Sequence, residues 1–435
     1  MKHSRSKLPA MFAVLFCIAL LAGVGVLLWK TLPEKQKPEQ AETIQTDGVF
    51  SNEPTTVEPE REAPYEGELP GQAAQPETPD EQPQPGTDDQ NETDPQTPDA
   101  PEASAAQQTA QALLDTMTDE EKIWQLFFVT PEAITNVNTA TVAGETTKKA
   151  LEQYPVGGIV YFAKNLENRE QTVALLENTQ SYAKIPLFLG VDEEGGTVSR
   201  VGSNPDMGVP SVGDMRSLGK QQDPAAAYAA GQDIGGSLHA LGFNLDFAPV
   251  ADVAQGADSV IGSRSFGSDP ELCASLAGVI VKSLRAEGIV SCLKHFPGYG
   301  NNVDTHTGIA VDQRPLESFT SSDFLPFQAG MESGGGKTAV LVSHNIMTAV
   351  DGDLPASLSP KVHGLLRTDL GFDGVVMTDD LAMEAVAAYS ADGAVAVMAL
   401  EAGNDLVITT DYRTQIPKVI EAVEQGELGL SLIHI

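Results

Sequence analysis

Residues 294–308 read KHFPGYGNNVDTHTG and set Lys294, His295, Asp304 and His306 among glycines and asparagines. An imidazole titrates near neutral pH, so His306, with Asp304 two residues before it, has the makings of a general acid and base. The glycines and asparagines permit unusual backbone angles and let such a group move into and out of place. His295, Asp304, His306 and His344 could instead converge on a metal, but Asp-x-His in a glycine-rich loop is no established zinc pattern. Carboxylates at Asp192, Asp252 and Asp379 add groups able to act as nucleophile, base or hydroxyl-binding acceptor.

A set of side chains spread over almost two hundred residues needs a scaffold that brings chain ends together. Eight short apolar runs occur: WQLFFV (124–129), VGGIVYF (156–162), LFLGVD (187–192), FNLDFAPVAD (243–252), IVSCLKHF (289–296), TAVLVSHNIM (338–347), GVVMTD (374–379) and DLVITT (405–410). Helix-like segments such as REQTVALLENTQSYA separate most of them, and QQTAQALLDTMTDEEKIWQ precedes the first, with Thr118 and Glu121 spaced as a capping box. Buried runs alternating with helices predict a parallel sheet, and eight such units predict a (β/α)8 TIM-type barrel. In that fold active-site groups stand where strands end. Asp192 ends the third run, Asp252 the fourth, Lys294 and His295 the fifth and Asp379 the seventh, and His344 lies late in the sixth.

These motifs, VDEEGGTVSR (191–200), NLDFAPVADV (244–253), IGSRSFG (261–267), KHFPGYGNNVDTH (294–306) and VVMTDDLAMEA (375–385), resemble family 3 glycoside hydrolases of the beta-N-acetylglucosaminidase branch. The resemblance runs from about residue 110 to 425. It implies a retaining exo-hydrolase that removes terminal beta-linked N-acetylglucosamine, commonly from peptidoglycan fragments, without cofactor or metal. It makes Asp379 the nucleophile, His306 the acid and base, and Asp304 the carboxylate that orients the imidazole. Asp192, Arg200, Arg264, Lys294 and His295 would line the sugar subsite. Tyr299 stands where the family has histidine, Thr197 where a basic residue is common, and the loop from Gly300 to Asp304 is a residue shorter.

Each assignment has a plainer competitor. Asp380 rivals Asp379, strand alternation favouring the latter, and either could cap the helical pattern of DDLAMEAV. Arg264 could form a surface ion pair. Asp252 and His344 could be structural hydrogen-bond partners. The rival functions are a family 3 beta-glucosidase-like hydrolase of other beta-glycosides and a non-catalytic anchored sugar-binding protein.

The flanking regions are of another kind. Lys2, Arg5 and Lys7 precede 22 uncharged residues from Leu8 to Trp29, a length of roughly 33 Å as a helix. Residues 1–30 therefore predict an uncleaved transmembrane signal anchor, with the rest of the chain outside the cytoplasm. Residues 31–105 hold 13 of the 28 prolines and carry a net charge of −16, which predicts a disordered acidic spacer. The catalytic domain would then occupy 106–435. A chain of net charge −35 offers no basic footprint for nucleic acid. Cys273 and Cys292 are expected as buried thiols, with a bridge between them left open. The ending GLSLIHI fits neither a capped helix nor the closing segment of such a barrel, so the sequence reads as cut short or shifted in frame there.

Overall fold

The alternation of apolar runs and helices becomes a ring of parallel strands in the computed structural model, which describes residues 105–254, 256, 261–300, 308–387, 389 and 394–429. The expected anchor and nearly all of the acidic spacer lie outside the described residues, as do Asp304, His306 and the last six residues. Among the described residues no helix is long and apolar enough to cross a membrane.

Each of the eight runs contributes one strand: β1 (Phe127–Val129), β2 (Gly158–Tyr161), β3 (Phe188–Val191), β4 (Leu245–Asp246), β5 (Val290–Phe296), β6 (Thr338–Val342), β7 (Val376–Thr378) and β8 (Val407–Ile408). They form one parallel sheet in the order β7-β6-β5-β4-β3-β2-β1-β8. The two ends of that order meet through a Met377–Leu406 bridge, reinforced by Thr378 N–H donating to Leu406 O at 3.2 Å. Closure removes the exposed edges an open sheet would present.

Strand alternation divides the core into two layers. Phe127 and Val129 turn outward to the helices, whereas Phe128 joins Val160, Leu245, Phe247, Leu341 and Met377 inside the ring. Both faces are therefore apolar, which is why the runs lack a polar repeat. Burying a side chain such as Phe127 or Phe128, both without solvent exposure, contributes about 1.5–3 kcal/mol each. The interior holds these rings because smaller residues face them. A Cβ on Gly158 would lie 2.3 Å from the Phe128 ring, and one on Gly190 2.7 Å from Phe247.

The helices start where local chemistry says they should. Thr118 and Glu121 form the expected reciprocal cap, with Glu121 N–H donating to Thr118 Oγ1 and Thr118 N–H to the Glu121 carboxylate. This box splits the leading segment into two helices, Ala105–Leu114 and Asp119–Gln125. The first starts at the residue expected to end the spacer and buries none of its side chains. Pro224–Leu241 and Pro270–Ala286 each begin with an aspartate cap followed by proline, which has no N–H to leave unsatisfied. Cys273 and Cys292 are separate buried thiols, and burial pushes Cys273 up to about 12.

Candidate active site

Five strands deliver polar side chains to one end of the ring, around a cavity of about 330 Å³. Its floor is the interior layer, including Phe128, Phe247 and Leu341. Asp192, Arg200, Arg264, Lys294, His295 and Asp379, drawn together from across the sequence, all line it. Asp252 and His344 stand behind that lining, bonded to it.

A hairpin after β3, Glu193–Gly195 paired with Val198–Ser199, adds a residue that the sequence reading did not single out. Glu194 is buried, and its carboxylate accepts two bonds from Arg264, Nε and Nη2 both at 2.7 Å. Lys294 Nζ lies 2.6 Å from Glu194 Oε1 and 2.7 Å from Asp192 Oδ1, so one ammonium joins two carboxylates. Burial alone would raise the Glu194 pKa, but the charges and hydrogen bonds of Lys294 and Arg264 bring it down to about 2. The signal was available: residues two apart on an extended chain share a side, and Glu194 follows Asp192 at that spacing. Arg264 is thus ion-paired inside the cavity wall, not at the surface.

Arg200 sits 3.9 Å from Asp192, and its buried Nε has no hydrogen-bond partner among the described residues. Glu193 holds the loop that carries it: Val201 N–H and Gly202 N–H donate to the Glu193 carboxylate at 2.7 and 3.0 Å, and Ser199 Oγ donates as well. Consecutive glutamates therefore divide the work, one facing the cavity cations and the other fixing the backbone.

Asp252 serves as a bracket. Its Oδ2 lies 2.7 Å from His295 Nδ1, and its Oδ1 accepts from Tyr299 N–H at 2.6 Å. His295 Nε2 is 3.4 Å from Arg264 Nη2, which ties the bracket to the ion cluster. Lys294 and His295 are sequence neighbours yet both reach the cavity, and the peptide between them is cis. The buried Tyr299 ring meets His295 edge-on, with centroids 5.5 Å apart.

Beyond β7, Asp379 and Asp380 both border the cavity but carry different loads. Burial would raise the Asp379 pKa; the facing imidazoles of His344 and His295, the Asp380 N–H and Lys294 outweigh it and hold the group below the usual carboxylate range. Asp380 goes the other way, raised by burial. Its Oδ1 accepts from Ala382 N–H at 2.9 Å and Thr410 N–H at 3.3 Å, so it fixes the turn before the short helix Glu384–Ala387 and does not cap that helix. Two adjacent carboxyl groups are thus pushed apart in proton affinity. His344 spends both ring nitrogens within the protein, Nδ1 2.8 Å from Ser357 Oγ and Nε2 3.0 Å from the Asp380 carbonyl. That geometry makes it a structural partner of the Asp379–Asp380 turn.

The fold has known counterparts. The family model described as "Glycosyl hydrolase family 3 N terminal domain" matches residues 118–435. The chain belongs to glycosyl hydrolase family 3. Among its curated relatives, a beta-hexosaminidase of Bordetella avium (strain 197N) is 38% identical over 61% of this chain and 76% of its own length. The family 3 beta-N-acetylglucosaminidase of Paenibacillus sp. str. FPU-7 is 34% identical with a TM-score of 0.67, over 73% of this chain. This chain spans 60% of that structure's length. A family 3 glycosyl hydrolase of Mycobacterium smegmatis str. MC2 155 is 33% identical with a TM-score of 0.63, over 74% of this chain and 94% of its own. The fold is thus shared with family 3 members of solved structure.

Proposed function

We propose that this family 3 hydrolase is a retaining exo-beta-N-acetylglucosaminidase. The observation that carries the reading is Asp379 at the end of β7, bordering a cavity whose wall sets carboxylates and cations around it, its carboxyl held, against burial, below the usual range by His344, His295 and Lys294. A pyranose presents hydroxyls that both donate and accept. Asp192 and Glu194 supply acceptors, Arg264 and Lys294 supply donors already held to them in bonding geometry, and Arg200 lies 3.9 Å from Asp192. Relatives named beta-hexosaminidase and beta-N-acetylglucosaminidase support the choice of sugar.

In the first step a carboxylate oxygen of Asp379 bonds to the anomeric carbon as the bond to the leaving oxygen breaks. His306 delivers its proton to that oxygen. Water then attacks the anomeric carbon, His306 takes the proton, and the glycosyl–aspartate bond opens to give product of retained configuration. Asp304 orients the imidazole and stabilises its protonated form. These two roles rest on the Asp-x-His motif, since both residues lie outside the described part of the chain.

The charge and hydropathy of residues 1–105 support a location. An anchor at 1–30 and a spacer with an end-to-end distance of roughly 45–50 Å would hold the barrel outside the cell membrane, within reach of peptidoglycan fragments as substrate. The test of the sugar is direct. A chromogenic beta-N-acetylglucosaminide should be hydrolysed well above the matching glucoside, and equal or reversed rates would favour the beta-glucosidase-like alternative. The His306→Ala variant should lose more activity on substrates with poor leaving groups than on those with good ones. Equal loss on both would remove His306 as the acid.

A further inference from the structure

The turn that presents Asp379 is secured from outside the cavity. Asp379 N–H donates to Val342 O at 3.1 Å and Asp380 N–H to Asp379 Oδ1 at 2.9 Å, fixing the residue on one side. On the other side the Asp380 carbonyl receives His344 Nε2 at 3.0 Å. A carbonyl only accepts, so Nε2 carries the hydrogen, and Ser357 Oγ at 2.8 Å from Nδ1 completes the ring's bonding. His344 and Ser357 are both without solvent exposure. The support continues outward, as Asn404 Nδ2 donates to Ser357 O at 2.8 Å and to Ala399 O at 2.6 Å. A chain of bonds therefore runs from the helix Val395–Ala402 to the peptide next to the nucleophile.

We infer that His344 is a positioning residue for the glycosidase reaction, holding the Asp380 carbonyl so that the Asp379 carboxylate keeps its line to the anomeric carbon, with Ser357 fixing the ring. The inference rests on the proposed role of Asp379 as nucleophile. His344 does not line the cavity, so its action is on turnover and not on substrate affinity. A misplacement of about 1 Å in a reacting group costs on the order of 10²-fold in rate.

The experiment compares His344→Gln with His344→Leu in the full chain. Glutamine can set an N–H where Nε2 now lies; leucine fills the space and donates nothing. With a chromogenic beta-N-acetylglucosaminide, His344→Leu is expected to lose about 10²-fold in kcat with KM within about threefold, and His344→Gln to recover most of that loss. Equal kcat in the two folded variants overturns the inference, whether both are active or both are not. Should His344→Leu fail to fold by circular dichroism, Ser357→Ala decides: removing the Nδ1 partner lowers kcat about tenfold at unchanged KM, by the same misplacement argument, and an unchanged kcat overturns it. Fluorosugar labelling of the wild type separates the two levels. Label on Asp379 with indistinguishable His344 variants leaves the function standing and removes His344, whereas a wild type without hydrolysis overturns both.

Discussion

Replacing Asp379 with alanine is expected to abolish turnover, with kcat down by roughly four to six orders of magnitude, while the protein stays folded. Nothing in the wall depends on this side chain for its own bonds: Asp192, Glu194, Arg264 and Lys294 hold one another, and His295 is held by Asp252. Among the described residues the carboxylate's one hydrogen bond is from the next residue's N–H. Its removal therefore takes away the bond-forming oxygen without unpairing a buried charge. Added azide should restore part of the rate by entering the vacated side, giving a glycosyl azide of inverted configuration, which a structural defect would not produce. Asp380→Asn is the matching control. Asn keeps an oxygen for the Ala382 and Thr410 N–H groups, so it should stay within about tenfold of wild type if Asp380 only holds this turn. A loss at Asp380 equal to that at Asp379, or no azide product from Asp379→Ala, would reassign the nucleophile.

What could be read from the sequence here depends on which forces are local. Strand positions were legible because a strand buried on both faces must be a short apolar run, and each of the eight runs holds one barrel strand. Rim residues were legible because polar groups at the ends of such runs have few other places to go. The two-residue spacing from Asp192 gives Glu194 its side of the chain, but the path of the hairpin beyond the strand depends on Glu193 collecting Ser199, Val201 and Gly202. No periodicity records that. The Asp379 and Asp380 pair shows a second limit. Alternation assigns opposite faces within a strand, but both residues lie past the end of β7, and both border the cavity. Their difference is electrostatic, set by His344, His295 and Lys294 from other strands. The role of His344 was open for the same reason, since its partners Ser357 and Asp380 arrive only through the closed ring.

The cavity wall is also a fold element, and Glu194→Gln should expose this. The amide keeps the size of the side chain but turns one acceptor oxygen into a donor, set against Arg264 or Lys294, each already a donor. One buried cation is then short of an acceptor, and a broken buried ion pair typically costs about 3–5 kcal/mol. Linkage gives a similar size. Glu194 falls from 4.5 to about 2 in the folded chain, which corresponds to about 3 kcal/mol of stability at neutral pH. Because the folded value is the lower one, that contribution is complete above pH 4.5 and is lost as pH falls from 4.5 toward 2. Glu193 and Asp246 are raised by burial and act in the opposite sense at acid pH, so wild-type denaturation alone mixes the two effects. The difference between wild type and Glu194→Gln cancels them. Denaturant unfolding should therefore show a gap of about 3 kcal/mol at pH 7 that narrows between pH 4.5 and 2. KM should rise with it, since Arg264 and Lys294 lose the anchor that aims them at the sugar. A gap that stays constant across that range would mean the carboxylate's charge is not what holds the wall together.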